Sequence, residues 1–160
     1  MKLKLIFVCL AIALLQITPL NAQAVSPAGH YSKKSLGAGE MRVEKSEGDW
    51  RIFVIAGGGY RPRGLTAADC GLIAVGAIQG HTFQGEIKYV FDNTVDRKAA
   101  LDYLKGGNSK PSDSEEVEAG HKLTITFARQ SATLQDGSVV AAGCPVRTGL
   151  FGRYTKDRKR

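Results

Sequence analysis

The chain predicts a mainly β protein, an antiparallel meander of hairpins forming a small closed or nearly closed barrel of roughly six to eight strands with one short helix-containing insertion. Two observations carry that expectation. Beyond Val25 the sequence breaks into short alternating or apolar segments separated by turn residues, which is the signature of antiparallel hairpins. The first and last ordered segments also open on matching triplets, Gly29-His30-Tyr31 and Gly152-Arg153-Tyr154, so the terminal strands are expected to pair and to bring one tyrosine each to a common core. Pairing them closes the sheet and removes its exposed edges. A two-sheet sandwich is the competing arrangement, and the pattern alone does not separate the two.

The elements follow in order. Glu40 to Lys45 alternates with Met41 and Val43 on one face, Glu47-Gly48-Asp49 turns the chain, and Trp50 to Ala56 returns as a strand, giving a first hairpin. Gly57 to Gly64 is a loop by composition. Cys70 to Ile78, the turn at Gln79-Gly80, and Thr82 to Phe91 form a second hairpin, with Ile87, Tyr89 and Phe91 expected on one face. Val95 to Leu104 has the spacing for about two helical turns, with Leu101 and Leu104 on one side and Gly106-Gly107 as the stop. A polar stretch, Asn108 to Glu118, carries Asp113, Glu115, Glu116 and Glu118. It reads as a solvated loop, with a cation site or a docking face for a basic partner as the functional options. Lys122 to Arg129 alternates through Leu123, Ile125 and Phe127; Ala132 to Leu134, a turn at Gln135-Asp136-Gly137 and Ser138 to Ala142 complete a third hairpin.

Length and composition bound the rest. With 160 residues, 43% hydrophobic and 23% charged, the chain makes one globular domain, and no stretch is apolar enough for a multispan membrane protein. Met1 to Ala24 reads as a secretory signal: Lys2 and Lys4 precede an apolar centre, and Ala22-Gln23-Ala24 is a small-residue cleavage site before Val25. A single domain is expected over 25–155, followed by a basic tail, Lys156 to Arg160, and the destination is periplasmic or secreted. The formal net charge of +7 falls to +5 on loss of the two signal lysines. Cleavage also removes Cys9, which leaves Cys70 and Cys144 as the pair for one disulfide in an oxidising compartment. His30, His81 and His121 have no ligand spacing, so no metal site is expected and each histidine reads as a surface residue.

Catalytic and cofactor motifs do not appear. G-x-S-x-G and H-E-x-x-H are missing, and the glycine-rich Gly57 to Gly64 lacks the G-K-[ST] ending of a phosphate loop, so neither a cofactor nor an enzymatic activity is expected. That segment instead offers contact chemistry: Tyr60, Arg61 and Arg63 around Pro62 are the binding candidates, because Tyr and Arg give large area and planar recognition of carboxylates or phosphates. The basic tail holds no aromatic to stack bases, so nucleic acid is not an expected partner; weak contact with an anionic envelope surface is its functional option.

The signal, the single disulfide, the hairpin meander and the ending Cys144-Pro145-Val146-Arg147-Thr148-Gly149-Leu150-Phe151-Gly152-Arg153-Tyr154 resemble small periplasmic barrel proteins related to bacterial lysozyme inhibitors. The resemblance implies an exported, non-enzymatic binding protein that blocks a lysozyme or another cell-wall hydrolase, as inhibitors and immunity-type proteins do. The S-G-x-x-Y loop of the better-known inhibitors is missing, so their inhibitory residues do not carry over. The alternative is a periplasmic carrier of a small apolar ligand, suggested by Trp50 to Ile55, where both strand faces are apolar.

Overall fold

The computed structural model describes residues 26–34, 38–57, 70–91, 97–135, 139, 142–144 and 149–158. Nine strands run in chain order: β1 (Gly29–Lys33), β2 (Gly39–Ser46), β3 (Asp49–Ala56), β4 (Cys70–Gln79), β5 (Thr82–Phe91), β6 (Ser114–Glu116), β7 (Lys122–Ala128), β8 (Ser131–Leu134) and β9 (Gly152–Lys156). The one helix among these residues, α1 (Arg97–Leu104), lies between β5 and β6. Every pairing is antiparallel. The order β4-β3-β2-β1-β9-β8-β7-β5 returns to its start through β4–β5, so eight strands close a barrel and the sandwich is excluded. β6 pairs with β5 beyond the end of β7, along the same edge.

Local sequence sets the register of the first two hairpins as expected. The β2–β3 turn has positive φ at both Glu47 and Gly48, the type I′ requirement, and the β4–β5 turn has it at Gly80 alone, the first central position of type II′. The third hairpin differs. It turns at residues 129–130, between β7 and β8, and most of the expected turn and strand over 135–142 falls outside the described residues.

Alternation then fills the interior. Tyr31, Met41, Ile52, Leu72, Phe83, Ile87, Leu123, Ile125 and Tyr154 are each less than 2% exposed, which leaves no water-sized space beside them. One face assignment changes. Ile73 pairs with Tyr89 while Ala74 pairs with Ile87, so Lys88 is an extra residue in β5. This bulge inverts the side-chain parity, sending Ile87 and Val90 into the barrel and Tyr89 and Phe91 to its outer wall.

The outer wall has its own core. Phe53, Ile55, Ile73 and Phe91 stand on the outside of β3, β4 and β5, and α1 covers them with Ala100 and Leu104, one turn apart on the same face. The helix stops where the glycines predict: Gly106 has φ +109°, its N–H donates to Tyr103 O, and Gly107 N–H donates to Asp102 O, a Schellman cap. Arg51 then fastens that end to the barrel. Its guanidinium donates to Tyr103 O at 2.5 Å and Gly107 O at 3.1 Å and lies over the Tyr103 ring, where a cation also meets the negative end of the helix dipole.

The matching terminal triplets have a physical meaning. β1 and β9 pair through Tyr31↔Lys156 and Ser32↔Thr155, and both tyrosines enter the interior. Tyr31 donates its hydroxyl to Pro27 O at 2.7 Å and Tyr154 to Leu150 O at 2.6 Å, in each case four residues upstream. Between phenol and acceptor the chain turns at a glycine with positive φ, +141° at Gly29 and +106° at Gly152, a conformation that side chains disfavour. The same corner is thus built twice.

Burial pushes the Tyr31 phenol up to about 12 and raises that of Tyr154 as well. A pKa raised in the folded state means that the stabilisation is complete below the ordinary value of 10.0 and is lost as pH rises through the folded values. The urea midpoint is therefore expected to hold to about pH 9.5 and to fall between about pH 10 and 12, with a late phenolate absorbance change that is smaller in the Y31F/Y154F variant, where Tyr89, also raised by burial, remains. A midpoint unchanged at about pH 12 would contradict this.

Candidate functional site

The two ends of the barrel are built differently. At one end the strands are joined by two-residue turns, at 47–48, 80–81 and 129–130. At the other end leave the connections 34–38, 57–69 and 135–151 and the path from β5 into α1. A closed barrel with tight turns at one rim and long connections at the other places its variable surface at the second, on a rigid support.

That rim is braced from within. Cys70, at the start of β4, and Cys144, in the connection before β9, form the expected disulfide across 74 residues, with Cα atoms 5.7 Å apart. It ties the root of the 57–69 connection to the 135–151 connection. Gly57 N–H donates to Ala38 O at 3.1 Å, which joins the first of these to the end of 34–38. Lys33, at the end of β1, is 8% exposed; its ammonium donates to Gly149 O and, at 2.8 Å, to Phe151 O, and sits 5.3 Å over the Tyr154 ring. Burial lowers its pKa, while the two carbonyls and the ring face of Tyr154 supply the negative ends that a buried cation needs.

Tyr60, Arg61 and Arg63 lie in the 57–69 connection, outside the described residues, so their side chains are not placed. The acidic stretch is placed, and differently from the solvated loop expected of it. Ser114–Glu116 forms β6, paired with Tyr89–Phe91 at the end of β5 nearest the long connections, with Glu115 and Glu116 exposed. Ser114 anchors it by donating to Pro111 O at 2.7 Å. Acidic side chains therefore stand at the rim where β4 begins, beside Cys70 and Gly71.

Elsewhere on the barrel is a cluster that sequence reasoning missed. On the outer wall of β9, β1 and β2, His30 Nδ1 lies 2.7 Å from Asp157 Oδ2 and its Nε2 lies 3.2 Å from Glu40 Oε1. Ser32 donates to the other Asp157 oxygen at 2.7 Å, and Arg42 and Arg97 pair with Glu40 at 2.9 and 3.4 Å. Serine, histidine and aspartate meet here, but the hydroxyl bonds the carboxylate and does not touch the imidazole. The imidazole therefore has no serine proton to take, and the arrangement is not a nucleophile with its base.

Comparison with known proteins gives no match among family models, curated proteins or solved structures. The site must therefore be read from its own geometry. No group of three or more potential metal ligands occurs among the described residues. The apolar outer face of Phe53 and Ile55 is covered by α1, so the two-sided apolarity that suggested a ligand carrier has a structural cause in the helix.

Proposed function

We propose that the chain is an exported, non-enzymatic binding protein that blocks a cell-wall hydrolase, of the lysozyme type or a related amidase, with the surface at its long-connection rim. The observation that carries this reading is the asymmetry of the barrel: every long connection leaves one rim, and a disulfide, a buried lysine and a backbone hydrogen bond hold their roots together. Preorganised roots lower the ordering cost that a loop otherwise bears when it binds. Tyr60, Arg61 and Arg63 are the proposed contacts, with arginine for active-site carboxylates and tyrosine for a sugar subsite.

Charge supports the same face. A basic hydrolase is repelled by a chain of net +5, unless it approaches the rim where Glu115 and Glu116 stand. The mature oxidised chain from Val25, used as bait against a panel of lysozymes and amidases, is expected to capture one of them stoichiometrically and abolish its activity. Y60A/R61A/R63A is then expected to weaken inhibition by on the order of a hundredfold or more, and E115Q/E116Q to slow association chiefly at low salt. Inhibition left intact by the triple variant would remove the contact assignment; failure to capture any hydrolase would remove the reading itself.

A further inference from the structure

We infer that the groove beside the chain ends is a binding site for a linear polyanion with repeating phosphate groups, separate from the rim that meets a protein partner. The groove has a volume of about 940 Å³ and draws its walls from five segments: the chain before β1, the start of β1, β2, the β7–β8 turn and the end of β9 with the residues after it. Arg42, Arg129, Lys156 and Arg158 line it with His30, against the carboxylates Glu44 and Asp157.

Arg42 is paired with Glu40, and the Asp157 carboxylate accepts from Ser32 and lies against His30, so the cations open to a ligand are those of the β7–β8 turn and the chain after β9. Arg129 and Arg158 are exposed and form no ion pair among the described residues. Lys156 is held in position by donating to Ser26 O at 2.7 Å, with its ammonium 5.4 Å from the centre of the Tyr31 ring. Three of the four cations are arginines, whose planar fork takes phosphate oxygens in pairs. The groove is many times larger than a single phosphate and its cations come from three separate segments, which suits a chain of phosphates laid along it.

The probe is long-chain inorganic polyphosphate, titrated calorimetrically into the mature oxidised protein. Saturable binding is expected, weakening at least about tenfold between low and moderately high salt as the charges are screened. R129A/R158A is expected to weaken it about tenfold, and K105A/K110A, which removes the same charge from exposed positions elsewhere, by less than about twofold. Equal losses in the two variants would mean attraction by net charge alone and overturn the groove. Orthophosphate binding as tightly as the polymer would overturn the polyanion, and binding to phosphatidylglycerol vesicles without binding to polyphosphate would overturn it in favour of a membrane surface.

Discussion

The C70A/C144A variant is expected to lose about 4 kcal/mol of stability, read from urea denaturation of the oxidised parent beside it. The figure comes from chain entropy. The bridge spans 74 residues of a 160-residue chain, so its removal restores large-scale freedom to the unfolded chain. Domains of this size have roughly 5–15 kcal/mol in total, so the variant stands near the threshold of folding at physiological temperature. Packing adds to the loss, since Cys70 is 4% and Cys144 1% exposed within the barrel core, and alanine leaves a small void at each. A loss under about 1 kcal/mol would show that the unfolded chain is already constrained or that the bridge is strained, and would contradict the entropic account. The same variant also separates the two roles of the bridge. If bracing of the long-connection rim matters to binding, inhibition should weaken under conditions where the variant is still folded.

Those roots were legible because their signals are local or singular. Two cysteines beyond Val25 admit one intramolecular bridge, Gly48 and Gly80 supply the positive φ of their turns, and Gly106-Gly107 caps the helix. The repeated Gly-x-Tyr triplet pointed to β1–β9 pairing because a corner built twice leaves the same trace twice. What escaped depends on distant parts of the chain. The bulge at Lys88 has no residue signature, and it alone moves Tyr89 and Phe91 from the interior to the outer wall. β6 is a short edge strand whose exposed glutamates read as solvent-facing loop, a common way to blunt an edge. Trp50 to Ile55 looked two-sided because α1, more than 40 residues later, covers the outer face. The cluster of His30, Ser32 and Asp157 joins positions 125 residues apart, and only closure of the barrel brings them together.

The seam that makes this closure is also its thinnest part. β1 and β9 share two register pairs, whereas β2 and β3 share eight. Side chains therefore carry much of the closure, and Tyr154 carries the most: fully buried, bonded to Leu150 O at 2.6 Å, and lying under the Lys33 ammonium that reaches Gly149 O and Phe151 O. Tyr154→Ala is expected to cost about 3–5 kcal/mol, the range for deleting a large buried aromatic. Tyr154→Phe keeps the ring, its packing and the cation above it but strands the Leu150 carbonyl, and is expected to cost about 1 kcal/mol. The ordering tests the corner separately from the core. If Phe costs as much as Ala, the hydrogen bond and not the ring closes the seam; if neither lowers the urea midpoint, Tyr154 does not close it at all. Amide exchange at Ser32 and Thr155 gives the local reading, and it should accelerate in Tyr154→Ala before the β2–β3 amides do, because the barrel opens first where the fewest backbone bonds hold it.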